Sequence, residues 1–84
     1  MTRYTVVWVR SAQGELVELW MNAPNRDAVT IATHAIDQEL GQDAPAKGAA
    51  LSEGLRSFSA PPLKAIFTVR EDDRIGEVPR VRKI

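Results

Sequence analysis

Apolar and polar positions along the chain change period three times, and each change marks an element. Tyr4-Thr5-Val6-Val7-Trp8-Val9 is rich in β-branched and aromatic residues and reads as a strand. Tyr4, Val6 and Trp8 share one face and Thr5, Val7 and Val9 the other. Both are apolar enough to be covered, which predicts an internal strand or one flanked by a helix. From Ser11, a residue suited to an N-cap, the period becomes helical: Ala12, Leu16, Leu19, Trp20 and Ala23 form one stripe, with Glu15, Glu18 and Asn22 facing away. Asn22-Ala23-Pro24-Asn25 breaks that helix, because the residue before a proline avoids helical backbone angles. Asn25 then caps a second helix whose stripe is Ala28, Val29, Ala32, Ala35, Ile36 and Leu40, with Gly41 as its expected terminator. So short a break makes the two helices an antiparallel pair.

The second half returns to short extended segments. Residues 42–52, with Pro45 and Gly48, read as a connection. Residues 55–59 read as a strand. After the Pro61-Pro62 turn, Leu63, Ala65, Phe67 and Val69 alternate with Lys64, Ile66, Thr68 and Arg70 in the clearest strand of the chain. Glu71-Asp72-Asp73-Arg74 is a polar turn, and residues 75–81 return as the last strand. Pro79 has no N–H to donate, so it requires a bulge or an exposed edge. The order β-α-α-β-β-β predicts an α+β fold: an antiparallel sheet with the helical hairpin packed on one face, the last three strands a meander, and the other sheet face open.

Composition narrows the function classes. The 84 residues make a single domain, 1–84, and eleven basic side chains balance eleven acidic ones, so no overall charge drives the chain onto nucleic acid or a membrane. There is no cysteine, hence no disulfide, thiolate metal site or thiol nucleophile. The longest apolar run is far too short for a membrane span and there is no secretory segment, so a cytoplasmic protein is expected. His34, the only histidine, falls on the polar face of the second helix one turn from Asp37, where a solvated pair is the ordinary outcome. The glycines form no phosphate-binding pattern, and the carboxylates at 71–73 are turn chemistry; no metal site and no cofactor are expected. Trp8, Trp20 and Phe58 read as core.

The positive signal is where the charges fall. Residues 1–40 carry three arginines against five carboxylates, whereas residues 41–84 carry eight basic side chains against six acids. Lys64 and Arg70 alternate on the face opposite Leu63, Ala65 and Phe67. Arg80 and Arg82 share a face if the last strand stays regular past Pro79. Such a face can offer several cations to phosphates, and arginine is the better bidentate ligand. The plain alternative is that strands with one buried side carry lysine and arginine on the other for solubility.

The chain resembles the RelE/ParE superfamily, the toxins of type II toxin–antitoxin modules, also known as plasmid stabilisation proteins. The likeness is carried by the Tyr4-Thr5-Val6-Val7-Trp8 strand, the hairpin with Leu19-Trp20, Glu53-Gly54-Leu55-Arg56, Pro61-Pro62-Leu63-Lys64-Ala65-Ile66-Phe67-Thr68-Val69, Asp72-Asp73-Arg74 and Val78-Pro79-Arg80-Val81-Arg82. It implies a RelE-like fold and a growth inhibitor neutralised by a cognate antitoxin. In the ribosome-dependent nuclease branch, basic side chains on the sheet grip mRNA while its 2′-hydroxyl attacks the adjacent phosphate. Carried over, Lys64, Arg56 and Arg82 take the catalytic positions, and Arg80, Lys83 and Arg70 the RNA-binding ones. Lys64 stands where that branch has arginine, and no tyrosine or histidine able to move a proton appears near the C-terminus. The alternatives are a non-catalytic binder of the same fold, either a gyrase-type inhibitor or a decayed toxin, and a structural oligomerisation domain.

Overall fold

The computed structural model describes residues 3–84. The elements are β1 (Thr5–Trp8), α1 (Arg10–Asn22), α2 (Arg26–Asp43), a 3-10 turn (Ala44–Ala46), β2 (Ala49–Ser52), β3 (Leu55–Ala60), β4 (Leu63–Arg70) and β5 (Ile75–Lys83). They build an α+β fold around one sheet of order β1-β5-β4-β3-β2, with β3, β4 and β5 the expected antiparallel meander.

Three expectations are corrected here. The sheet is mixed, because β1 pairs with β5 in parallel, from Thr5 opposite Ile75 to Trp8 opposite Val78. The stretch expected to be a plain connection contains β2, which pairs with β3. One uncounted strand is one uncounted reversal of chain direction, so β5 runs the same way as β1. Nor does α2 stop at Gly41. It continues to Asp43, and Pro45 lies just beyond. Gly41 serves packing instead: its carbonyl accepts from the Tyr4 amide at 2.8 Å, and the Tyr4 carbonyl lies 3.6 Å from where a Cβ would be.

The core lies between the hairpin and one sheet face. Val29, Ala32, Ile36 and Leu40 from α2 meet Leu63, Ala65 and Phe67 from β4 and Val78 and Val81 from β5. Each large aliphatic or aromatic side chain so buried contributes about 1.5–3 kcal/mol. Only Ala12 of α1 is fully buried, because α1 lies along the edge of β5 as well as against α2. Trp20 is consequently not a core residue. It is 41% exposed, and the Arg26 guanidinium sits 4.7 Å from its ring centroid.

Trp8 is half-buried against α2, its Nε1–H donating to Asp37 Oδ1 at 2.7 Å. Asp37 therefore partners a tryptophan rather than His34, and β1 is an edge strand flanked by a helix rather than an internal one. Asn25 caps α2 as expected, accepting from the Ala28 amide at 3.2 Å. Ser11 does not cap α1. Its hydroxyl donates to the Pro79 carbonyl at 2.8 Å, and Val9 precedes the helix with no side-chain cap.

Candidate nucleic-acid interface

The geometry of β4 and β5 begins with Pro79. Ile66 pairs with Arg80 but Thr68 pairs with Glu77, so Phe67 faces both Val78 and Pro79 across a β-bulge. A proline is tolerated there because no ladder amide is missed. The extra residue also reverses which side chains face the core. Before it, Gly76 and Val78 point inward; after it, Val81 does. Arg80 and Arg82 are thereby turned onto the face away from the helices. In an unbroken strand they would share the core face with Val78.

Register then fixes the neighbours. Lys64 is opposite Arg82, Ile66 opposite Arg80, and Ser59 of β3 opposite Lys64. Paired residues point to the same side of a sheet, with Cβ atoms about 5 Å apart. Lys64, Arg80 and Arg82 thus form a cluster at the end of the sheet near the Pro61-Pro62 turn. Among the described residues, neither Lys64 nor Arg82 has an acidic partner. Arg80 does: its Nη2 lies 3.4 Å from Glu15 Oε2.

The other three residues singled out from sequence lie elsewhere. Arg70 is on the same face but six residues along β4, about 20 Å from Lys64. It is also engaged, its Nε 2.9 Å from Glu77 Oε1. Arg56 is opposite Phe67, so it points to the helix side. There its Nε–H donates to the Lys47 carbonyl at 3.0 Å and its Nη2–H to that of Gly48 at 3.3 Å, tying down the segment that leads into β2. Lys83 is opposite Leu63, also on the helix side, at the rim of an apolar cleft of about 580 Å³ lined by Leu19, Ala23, Val29, Pro62 and Ile84.

Among the described residues, neither the histidine nor the tyrosine lies beside the cluster. His34 is on α2, on the other side of the sheet, and Tyr4 shares the helix side of β1 with Val6 and Trp8. Burial chiefly, with the Glu71 and Asp43 carboxylates adding to it, raises the Tyr4 phenol above its ordinary value of 10.0. Near neutral pH it is a neutral side chain. The carboxylate nearest Arg80, that of Glu15, has both oxygens engaged, since Oε1 also accepts from the Val81 amide at 3.0 Å. Sequence reading missed Glu15 altogether. It stands 65 residues before Arg80 among helix positions that face away from the apolar stripe, and no local pattern ties the two together.

A small α+β protein with a helical hairpin on one side of a five-stranded sheet is an architecture with solved counterparts. The RelBE2 toxin–antitoxin complex from Mycobacterium tuberculosis matches with a TM-score of 0.83 over 100% of this chain and 94% of that one, at 16% sequence identity. The chromosomal ParDE TA system from P. aeruginosa matches with a TM-score of 0.72 over 98% of this chain and 97% of that one, at 18% identity. No family model and no curated protein sequence matches the chain. The fold is that of the RelE/ParE-type toxins. Among the described residues, no helix is long and apolar enough to cross a membrane.

Proposed function

We propose that this protein is the toxin of a toxin–antitoxin pair, held inactive by a cognate antitoxin and acting, when free, on ribosome-bound mRNA through Lys64, Arg80 and Arg82. The observation that carries the reading is the bulge at Pro79, which gathers these three cations on the open side of the sheet. Cations so placed bind successive phosphates, and as a 2′-hydroxyl attacks the neighbouring phosphorus and the bond to the next nucleotide's 5′-oxygen breaks, with water carrying the hydroxyl proton to that leaving oxygen, they offset the charge growing on the phosphate oxygens. Arg56 is left out of this role because it lies on the helix side, where its Nε and Nη2 donors bond backbone carbonyls. Arg70 and Lys83 are peripheral to it. The antitoxin partner comes by analogy with the fold relatives, the ribosome-bound target from the sequence resemblance to the RelE/ParE superfamily, and the choice of side chains from the geometry.

A second reading, inhibition by binding without cleavage, is favoured by one specific observation: His34 and Tyr4 both lie on the helix side. The two readings part in one experiment. The protein is induced alone in a bacterial host, growth is followed, and transcripts are mapped for ends at ribosome-occupied codons. Arrest that disappears in the K64A/R80A/R82A variant supports the cluster; codon-specific ends select cleavage, and arrest without them selects binding. A correctly folded triple variant that stays equally toxic refutes the proposal.

A further inference from the structure

β1 ends at Trp8, opposite Val78, so the second half of β5 has no strand beside it on that edge. α1 takes the strand's place with two side chains one turn apart. The Ser11 hydroxyl donates to the Pro79 carbonyl at 2.8 Å, and Glu15 Oε1 accepts from the Val81 amide at 3.0 Å. The second Glu15 oxygen faces the Arg80 guanidinium at 3.4 Å. One carboxylate therefore completes the edge of β5 and occupies a cation of the cluster.

We propose that Glu15 is an internal stand-in for phosphate: it keeps Arg80 beside Lys64 and Arg82 while withholding its guanidinium, and an incoming polyanion must displace it. This deepens the phosphate-binding reading of the cluster and rests on it. The contact suits displacement. At 3.4 Å it is longer than a close charge-assisted hydrogen bond, and both side chains are partly solvated, at 52% and 32% exposure. The Val81 amide is a separate tether that holds the carboxylate in place when Arg80 swings to a phosphate.

Glu15→Gln isolates the charge, since the amide oxygen still accepts from Val81. In E15Q, binding of poly(U) at low salt tightens about threefold or more. The slope of log K against log salt steepens by about 0.7, the increment for one more phosphate contact on a single strand. Adding R80Q removes the gain, so that E15Q/R80Q matches R80Q. Unchanged or weaker binding by E15Q overturns the proposal. K64A and R82A test the cluster itself in the same assay. Should poly(U) bind no variant, heparin elution decides: a later, Arg80-dependent elution of E15Q keeps Glu15 as a restraint on anion binding while the RNA reading falls, and unchanged elution ends both. Hydrogen exchange reads the tether independently. The Val81 amide is protected in the wild type and E15Q and exchanges faster in E15A; equal protection in E15A overturns the two-point contact.

Discussion

Arg56 and Arg82 look alike in the sequence, each a basic residue in a strand, and the structure gives them opposite work. Arg56 spends its Nε and Nη2 donors on the carbonyls of Lys47 and Gly48, and it is half-buried. Removing it frees two acceptors. R56A is therefore expected to lose about 1–2 kcal/mol of stability, read as a lower urea midpoint, with polyanion affinity unchanged. Arg82 has no acidic partner among the described residues and is exposed; R82A is expected to keep its midpoint and lose affinity. The reverse pattern in the two variants would remove the basis for placing the interface on the open face. Nothing local to either residue distinguishes them, since the side of a sheet on which a strand residue falls depends on register with its neighbours.

At the scale of elements, two glycines show how differently one residue type is used. Gly48 enters β2 with φ at 67°, and a Cβ there would lie 1.9 Å from the Ser57 carbonyl oxygen. Both the backbone angle and the close approach of β3 demand glycine. Gly14, inside α1, has nothing within 4 Å of its would-be Cβ. G48A is expected to destabilise by about 3 kcal/mol or more, whereas G14A is expected to stabilise by about 0.5–1 kcal/mol. For a domain of this size about 1 kcal/mol shifts the melting temperature by some 4–8 °C, so thermal unfolding separates the two variants in sign. Equal effects would mean that β2 is not seated on β3 as described. Much of the element structure was legible in advance. The helical hairpin, the Asn25 cap and the β4 alternation all rest on periodicities of three to four residues or two, which neighbouring residues carry. Residues 49–52 escaped because Ala49-Ala50-Leu51-Ser52 is too short and too small to show a strand pattern, and all four are exposed. Their strand exists through pairing with β3.

The whole molecule has no net charge, yet three of its cations and three of its carboxylates fall in different places along β4. Lys64, Arg80 and Arg82 stand near one end of β4, and Glu71, Asp72 and Asp73 form the turn beyond the other. The distance, about 16 Å for Arg80 opposite Ile66 and above about 20 Å for Lys64 and Arg82, exceeds the screening length of about 8 Å at physiological salt, so the acids do not cancel the cations there. At about 0.01 M salt that length grows to about 30 Å and the acidic turn is felt. D72N/D73N is expected to raise the association rate with poly(U) about twofold to fivefold at low salt and to leave it unchanged near physiological salt. Stopped-flow measurements at the two salt concentrations check this. A gain that persists at high salt would place the acidic turn in contact with the ligand.

By itself the sequence determined the α+β class, the order of its main elements and the presence of a bulge or edge at Pro79, because each follows from contacts or constraints within a few residues. Only the tertiary structure decided that β1 lies parallel to β5, that Arg56 and Lys83 face the helices, and that Glu15 meets Arg80. Those outcomes depend on chain reversals, register and a helix laid along a strand edge. Each joins residues far apart in the chain, and a single uncounted strand or bulge reverses the answer.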